Sequence, residues 1–221
     1  MFFTGYLLLS DIDGTLFIKE PKRYIPRRNL QALEYFMKKG GKFAVATGRS
    51  IRSALSAIGN LPMNCPAVLY NGGGIYDYQT NRMLWQACLE ESAAVHIPTV
   101  LERFPEIGVE IHVGLDLYCI HPSKESEKHV LEERSSFEVT PFEWVPKTGW
   151  NKILFAGPPD RVDRLEANLK GKNGPDHHFV RSEKNYFEII PAGADKGTAM
   201  ERLANLCGIT LDKTCAIGDY Y

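Results

Sequence analysis

The fold is decided by one stretch near the start of the chain, Tyr6-Leu7-Leu8-Leu9-Ser10-Asp11-Ile12-Asp13-Gly14-Thr15-Leu16. Its apolar run ends at two aspartates that a single residue separates, and a glycine follows them. A short continuous apolar run is typical of a strand that is buried on both faces of a parallel sheet. Alternate residues of an extended segment point the same way, so we expect the carboxylates of Asp11 and Asp13 to converge at the strand's carboxyl end. Ligands of open α/β sheets bind at that edge.

Strands and helices alternate in the next part of the chain. The pattern predicts, in order, a helix that begins at Pro26, a strand at residues 42–47, a helix at 50–58 and a strand at 66–70. Such an alternation predicts an α/β fold with a doubly wound parallel sheet, in which residues 1–78 form the first segment of the core.

The pattern changes between residues 79 and 188. Longer alternating strands appear there together with three helical stretches, at 91–103, 124–134 and 160–170. We expect an antiparallel sheet with helices on one face, which would be an α+β domain inserted into the first. A helix at 196–207 and a strand at 214–218 then return to the earlier pattern, so residues 189–221 form the second segment of the core.

The composition is that of a globular protein and excludes several classes of function. The chain has 221 residues, of which 44% are hydrophobic, and its 26 Lys and Arg against 27 Asp and Glu leave a net charge of −1. This balance lacks the broad electrostatic attraction that non-specific binding to nucleic acid or membranes needs. The five cysteines form no C-x-x-C pair, and the apolar start has no basic leader. We therefore expect mostly buried free thiols and a cytoplasmic protein.

The aspartate pair alone allows more than one interpretation. Two carboxylates so close repel each other unless a cation lies between them or one is protonated. The pair therefore suits either a magnesium site or a nucleophile beside a general acid, but the tetrapeptide taken alone favours a simple polar turn. An EF-hand loop is excluded, because Leu16 and Lys22 stand where that loop needs Gly and Glu.

Further polar residues stand at other predicted strand and helix ends. Thr47 closes the second strand before Gly48, and its hydroxyl and the nearby backbone N–H groups suit a phosphate oxygen. Lys196 opens a helix, where the helix dipole disfavours a cation, and Asp219 follows the last strand. Each residue is a weak signal alone. Their occurrence in this order, always at a predicted element end, is a strong one.

In this order the motifs resemble those of the haloacid dehalogenase-like (HAD) phosphatase superfamily. Asp-Ile-Asp-Gly-Thr-Leu at 11–16 matches the first motif, Ala-Thr-Gly-Arg at 46–49 the second, Lys-Gly at 196–197 the third and Ile-Gly-Asp at 217–219 the start of the fourth. The interval between the first two motifs is too short for a cap domain, whereas the interval between the second and third has room for one. This layout resembles the Cof-type subgroup with a cap of the C2B type.

The resemblance implies the chemistry of each motif residue. Asp11 would attack phosphorus and form an aspartyl-phosphate intermediate. Asp13 would protonate the leaving alkoxide and then accept a proton from the hydrolytic water. Thr47, Gly48 and Lys196 would bind the phosphoryl oxygens.

The resemblance also implies a metal and residues beside it. Mg²⁺ would be held by Asp11, the backbone carbonyl of Asp13 and Asp219. Asn71 begins an Asn-Gly-Gly segment that resembles one found beside the family's site, although a tight turn explains it as well. Arg49 either reaches a substrate anion or forms a structural ion pair.

These roles imply a phosphatase for a small-molecule phosphate ester, such as a sugar phosphate. A phosphomannomutase-like phosphoryl transferase is the alternative, because that family shares the cap type. A receiver-like signalling domain also places Asp, Ser or Thr, and Lys at parallel strand ends. Its phosphoacceptor lies on a middle strand, however, and it needs no large insertion, so the pattern argues against it.

The sequence departs from the resembled pattern after the start of the fourth motif. In the resembled family an Asn-Asp pair follows the fourth motif, and this sequence reaches Tyr221 without one. The resemblance therefore implies a chain that stops inside the fourth motif, and hence a weakly active or inactive phosphate-binding homologue as a further alternative. The strand at 214–218 would then have an unpaired edge, which leaves a homo-oligomer open.

Overall fold

The structure is a computed structural model that describes residues 2–18, 24–59, 61–132, 136–172 and 174–219. The chain divides into two compact units. Residues 1–49, 58–86 and 194–221 form what we call the core unit, and residues 50–57 and 87–193 form the inserted unit. These bounds differ from the predicted segments of 1–78, 79–188 and 189–221.

The helices and strands of the described part follow in chain order. They are β1 (Leu7–Ser10), α1 (Arg27–Lys38), β2 (Lys42–Val45), α2 (Ile51–Ile58), β3 (Ala67–Leu69), β4 (Gly74–Asp77), β5 (Arg82–Gln86), α3 (His96–Arg103), β6 (Gly108–Val113), β7 (Asp116–His121), α4 (Lys124–Glu132), β8 (Glu138–Val139), β9 (Trp150–Ala156), α5 (Pro159–Leu169), β10 (His177–Glu183), β11 (Tyr186–Pro191), α6 (Lys196–Leu206) and β12 (Thr214–Ile217). Most of them lie within a few residues of the predicted elements.

The core unit is built on a parallel sheet in the order β12-β1-β2. In its register Leu9 of β1 lies between Ala44 of β2 and Ala216 of β12. An isolated parallel bridge between Ala46 and Val68 extends this pairing towards β3. Leu9 and Ala44 are buried, as the uninterrupted apolar runs of their strands require. The predicted parallel sheet is therefore confirmed.

Local sequence signals set the ends of the core helices. α1 begins directly after Pro26, buries Leu33, and is followed by Gly40 in the left-handed region at a φ of 97°. The N-cap of α6 is Asp195, whose Oδ1 accepts a hydrogen bond of 2.8 Å from the backbone N–H of Thr198. This cap fixes the start of the helix on which Lys196 is the first residue.

An antiparallel hairpin that the sequence pattern did not indicate extends the core unit. β4 pairs with β3 and with β5, and Trp85 of β5 lies opposite Ile75 of β4. Because β5 is hydrogen-bonded to the core, the core unit continues to residue 86 instead of ending at residue 78.

The inserted unit is an α+β structure with a six-stranded sheet in the order β10-β11-β9-β6-β7-β8. All of its strand pairs are antiparallel except β7 with β8. Its apolar core combines side chains of the sheet with α3 and α5, including Val109, Ile111, Ile97 and Leu165. An inserted α+β module is thus what the sequence predicted.

The prediction that all helices of the inserted unit lie on one face of its sheet is wrong. Val109 and Ile111 of β6 point into the apolar core with α3 and α5. Glu110 between them points the other way, where its Oε2 lies 2.9 Å from Nδ1 of His129 on α4. Alternation along the strand therefore places α4 on the opposite face. The sequence could not show this, because the polar pattern of β6 is equally typical of a face turned to solvent.

Among the described helices, none is long and apolar enough to span a bilayer.

Candidate active site

The predicted site residues of the core unit gather at one edge of its parallel sheet. Asp11 follows β1 directly, and its backbone N–H donates to the carbonyl of Ile217 on β12 at 2.8 Å. Thr47 follows β2, and its N–H donates to the carbonyl of Val68 on β3 at 3.0 Å. Parallel pairing thus continues past the named strand ends and brings the residues after β1, β2 and β12 to the same edge.

An ion pair joins the first and third motifs. Nζ of Lys196 donates to Oδ1 of Asp11 at 2.8 Å, and the two side chains are 41% and 16% exposed. A lysine at the first turn of a helix is disfavoured by the helix dipole, so an acidic partner compensates for that position. The ammonium group consequently stands beside the predicted nucleophile, where an incoming phosphate would also need a positive charge.

A second ion pair joins the first and second motifs. Arg49 donates from Nε to Oδ2 of Asp13 at 2.7 Å and from Nη2 to Oδ1 at 3.1 Å. Its side chain is only 11% exposed. Such a two-point bond to an ionised carboxylate is among the stronger hydrogen-bonded pairs in proteins. Of the two expectations for Arg49, the structure contains the ion pair, and its partner is the predicted acid–base residue.

Thr47 is buried at the centre of the second motif. Its Oγ1 accepts a hydrogen bond of 3.2 Å from the backbone N–H of Arg49, and its carbonyl accepts one of 3.1 Å from the N–H of Asn71. Gly48 beside it leaves room for Asn71, because a Cβ at position 48 would overlap the Asn71 side chain. The structure therefore brings Asn71 against the second motif.

The loop after β3 holds Asn71 in an unusual backbone conformation. Tyr70 and Asn71 have φ values of 53° and 56°, in the left-handed region that non-glycine residues rarely occupy. Gly72 follows at a φ of 99°, and a Cβ there would overlap the backbone of Asp195. Each such non-glycine conformation costs about 1–3 kcal/mol, and these outliers cluster at functional sites. The loop thus lies directly against the N-cap of α6.

Asp219 lies against the turn of the first motif. Its Oδ1 accepts a hydrogen bond of 3.2 Å from Oγ1 of Thr15, and a Cβ at Gly14 would overlap its carboxylate. The pairing of β12 with β1 accounts for this approach. Asp219 is accordingly next to the backbone that follows Asp13.

The donor set at this edge fits Mg²⁺. The predicted ligands are two carboxylates, of Asp11 and Asp219, and the backbone carbonyl of Asp13, and hard oxygen ligands of this kind are those that Mg²⁺ prefers. Within the described ranges no group of three or more His, Cys, Asp or Glu side chains is arranged to hold a metal. A site of two carboxylates and one carbonyl needs no such group.

Sequence reasoning missed two residues that shape this edge. Asp195 caps α6 through Oδ1 to the Thr198 N–H and through Oδ2 to the Thr198 hydroxyl at 2.6 Å. An Asp three residues before a Thr at a helix start is a capping signal that would have identified it. Thr15 binds Asp219 across the strand ends, and no local pattern could have indicated a partner so distant in sequence.

Comparison with known proteins adds independent evidence. A family model described as haloacid dehalogenase-like hydrolase matches residues 8–221. An HMP-PP phosphatase of Yersinia pestis is 26% identical over 215 residues, which cover 96% of this chain and 77% of that protein.

Solved structures share the fold. A haloacid dehalogenase-like hydrolase from Bacteroides thetaiotaomicron has a TM-score of 0.83 and 22% identity, over 98% of this chain and 82% of that one. A haloacid dehalogenase-like hydrolase from B. subtilis has a TM-score of 0.79 and 22% identity, over 97% of this chain and 83% of that one.

These findings confirm the predicted α/β fold, the predicted family with its Cof-type subgroup, and the predicted class of enzyme. The matched region includes the first three motifs and the start of the fourth. The chain belongs to the haloacid dehalogenase-like hydrolase family.

Proposed function

We propose that this protein is a phosphatase that hydrolyses the phosphate monoester of a small metabolite through a phosphorylated Asp11. The observation that carries the proposal is the ion pair of 2.8 Å between Lys196 and Asp11 at the carboxyl edge of the parallel sheet. A carboxylate can approach a phosphate dianion only where fixed positive charge offsets their repulsion. Lys196 supplies such a charge beside the nucleophile.

In the first step a carboxylate oxygen of Asp11 attacks phosphorus, and the bond from phosphorus to the ester oxygen breaks. Asp13 donates a proton to the departing alkoxide, which leaves as the alcohol. In the second step water attacks phosphorus of the phosphorylated Asp11 and gives its proton to Asp13. Inorganic phosphate then leaves, and both carboxyl groups return to their starting states.

The pair between Arg49 and Asp13 adds a requirement to this mechanism. A guanidinium bonded to both oxygens stabilises the ionised carboxylate, whereas the first step needs a protonated one. We propose that the substrate phosphate attracts Arg49 away from at least one Asp13 oxygen. Asp13 is then able to take up the proton that it donates to the leaving group.

Thr47 and Gly48 complete the phosphate site in this proposal. The hydroxyl of Thr47 and the backbone N–H of Gly48 would donate to phosphoryl oxygens, which Lys196 would also contact. When bound, Mg²⁺ would reduce the charge repulsion between nucleophile and phosphate. Asp11, Asp219 and the carbonyl of Asp13 are the residues that would hold it.

We propose a free small molecule as the substrate, a sugar phosphate or a related compound, in the cytoplasm. The net charge of −1 supports this choice over nucleic acid or an anionic membrane. The similarity to an HMP-PP phosphatase, at 26% identity, supports a phosphorylated metabolite without naming which one. We further propose that the inserted unit is the cap and determines substrate selectivity.

The test is a screen for release of inorganic phosphate by the purified protein. Sugar phosphates, nucleotides and cofactor phosphates would each be offered with Mg²⁺ and with excess chelator. We expect release from at least one class, abolished by the chelator and restored by added Mg²⁺. Phosphate returned to a sugar without release would instead favour the phosphomannomutase-like transferase. Full activity in excess chelator would remove the metal from the mechanism.

A further inference from the structure

Two cysteines far apart in sequence meet in the core unit. Sγ of Cys65 lies 3.0 Å from Sγ of Cys207, although the residues are 142 positions apart. Cys65 precedes β3 and is only 8% exposed, and Cys207 is the C-cap of α6 and is partly exposed. None of the five cysteines is in a disulfide, and Cys88, Cys119 and Cys215 lie outside this pair. The expectation of mostly buried cysteines therefore holds for Cys65 and Cys119 but not for Cys88 and Cys215.

The backbone on both sides of the sulfur pair is fixed by hydrogen bonds. Asn64, next to Cys65, accepts a bond of 2.8 Å from the N–H of Phe43 and donates one of 2.9 Å to the carbonyl of Gly41. The N–H of Cys207 donates to the carbonyls of Leu203 and Ala204 at 3.0 and 3.1 Å. Hydrogen bonds of the Asn64 side chain and of the Cys207 backbone thus hold both residues where their sulfurs meet.

The two thiols differ in acidity. A hydrogen bond from Cys65, together with the charge of Lys42, lowers the pKa of Cys207 to about 7. The same hydrogen bond and burial raise the pKa of Cys65 far above its ordinary value. A thiolate is the nucleophilic form of cysteine, so at neutral pH Cys207 is the reactive member and Cys65 is the thiol beside it.

We propose that Cys65 and Cys207 form a redox modification site that reacts with hydroperoxides, hydrogen peroxide being the simplest, and closes to an intramolecular disulfide. The fixed contact of 3.0 Å is the basis of this proposal. It does not depend on the proposed phosphatase activity, since neither cysteine belongs to the site at the sheet edge.

Oxidation by hydrogen peroxide would proceed in two steps. The Cys207 thiolate attacks one oxygen of hydrogen peroxide, the O–O bond breaks, and hydroxide leaves and is protonated to water. Cys207 is then a sulfenic acid. The sulfur of Cys65 attacks the sulfur of Cys207, an S–S bond forms, and the S–O bond breaks. The hydroxide that leaves takes the proton of Cys65 and becomes a second water.

The disulfide would connect two elements that also carry site residues. Cys65 precedes β3, whose end leads to Asn71, and Cys207 closes α6, whose first residue is Lys196. Oxidation would therefore tie the far ends of these two elements together without modifying a residue of the site. Excess thiol, such as dithiothreitol, would reverse it.

The test uses the reduced wild-type protein exposed to hydrogen peroxide. Remaining thiols are alkylated with iodoacetamide, and the protein is digested without reductant and analysed by mass spectrometry. We expect a cross-linked peptide pair that contains Cys65 and Cys207, with Cys88 and Cys215 alkylated. Treatment with dithiothreitol before alkylation should abolish the cross-link. Cys215→Ser, which removes an exposed cysteine outside the pair, should behave as the wild type.

Single variants separate the two steps. In Cys65→Ser the second step is impossible, so dimedone, which reacts with sulfenic acids, should label Cys207 after peroxide treatment. In Cys207→Ser no label should appear on Cys65. The proposal is overturned if wild-type Cys65 and Cys207 both remain alkylatable when Cys88 or Cys215 is oxidised. It is likewise overturned if the cross-links that form join other cysteines or two chains.

Discussion

Asp11 is the residue on which the proposed reaction depends most directly. Asp11→Asn keeps the size of the side chain but removes the charged nucleophilic oxygen, so we expect kcat to fall on the order of 10⁴-fold or more. The measurement is phosphate release at saturating substrate, with circular dichroism to verify folding. Asp212→Asn, at an exposed position outside the site, is the matched control. Turnover by Asp11→Asn equal to that of the control would show that another group attacks phosphorus.

Asp13 is expected to matter most when the leaving group needs a proton. A sugar alkoxide is a poor leaving group, so Asp13→Asn should lower its hydrolysis by roughly 10²–10⁴-fold. The phenolate of an activated aryl phosphate leaves without protonation. Hydrolysis of that substrate should therefore fall by a smaller factor. The two losses are compared from initial rates on the same preparation. Equal losses for both substrates would contradict the acid role of Asp13.

In the proposed mechanism Arg49 moves from Asp13 to the substrate phosphate, and substitutions of Arg49 test this step. A hydrogen bond to a charged group contributes about 1.5–3 kcal/mol, so loss of the proposed contact between Arg49 and the substrate phosphate in Arg49→Ala should lower kcat/KM by about 10- to 100-fold. Arg49→Lys should recover only part of the loss, because an ammonium lacks the planar fork. The control is Arg52→Ala, which removes an exposed arginine whose ion pair with Asp116 is 3.6 Å long. Equal activity of Arg49→Ala and Arg52→Ala would show that turnover does not need a contact between Arg49 and the phosphate.

At the scale of elements, the contact between the loop after β3 and the start of α6 depends on Gly72. An alanine there must adopt a φ near 99° and would overlap the backbone of Asp195. Gly193 offers a matched control, because it has a φ of 74° with nothing within 4 Å of a Cβ. In both alanine variants the left-handed conformation costs about 1–2 kcal/mol of stability. Only Gly72→Ala also displaces a neighbouring segment.

We therefore expect Gly72→Ala to lose more stability than Gly193→Ala and to lose turnover as well. Urea unfolding of both variants measures the loss of stability, and kcat/KM measures the loss of turnover. Indistinguishable unfolding curves for the two variants would mean that the loop accommodates a side chain at position 72 without moving α6.

Elements whose pattern is local could be predicted from the sequence. A few neighbouring residues are enough to predict strand β1, the start of α1 after Pro26 and the amphipathic helix α6. The hairpin of β4 and β5 was missed, since its strands are short and follow a glycine-rich turn. The face on which α4 packs was predicted wrongly, because the buried polar side chains of β6 resemble a solvent-exposed stripe.

At the scale of the whole molecule, the stability of the inserted unit should depend on pH through a buried histidine. His112 lies in β6, and burial lowers its pKa well below the ordinary 6.5, with smaller effects from Lys152 and His129. His112 is therefore neutral in the folded protein, while the unfolded chain binds a proton below pH 6.5. Its contribution to stability is present above that pH and is lost as the pH falls.

We expect the free energy of unfolding to decline as the pH falls below about 6.5, with a shallower decline in His112→Gln. Urea titrations monitored by fluorescence at a series of pH values measure both slopes. His121→Gln, which replaces a partly exposed histidine of β7, serves as the control. A slope in His112→Gln as steep as in the wild type and this control would rule out His112 as the group responsible.

The sequence by itself determined the family, the parallel core and the positions of the candidate catalytic residues. The physical reason is that these residues stand at strand ends. A local apolar run predicts a buried parallel strand, and all strands of a parallel sheet have their carboxyl ends at the same edge. Asp11, Thr47 and Asp219 could thus be brought together without knowledge of any particular contact.

Only the tertiary structure decided which side chains meet. The bonds between Arg49 and Asp13 join residues 36 positions apart, and the sulfur contact between Cys65 and Cys207 joins residues 142 positions apart. Periodicity records how a residue lies on its own helix or strand, but not what packs against it. Such pairs arise from the packing of separate elements, which is why the partner of Arg49 and the pairing of the cysteines became visible only in the folded chain.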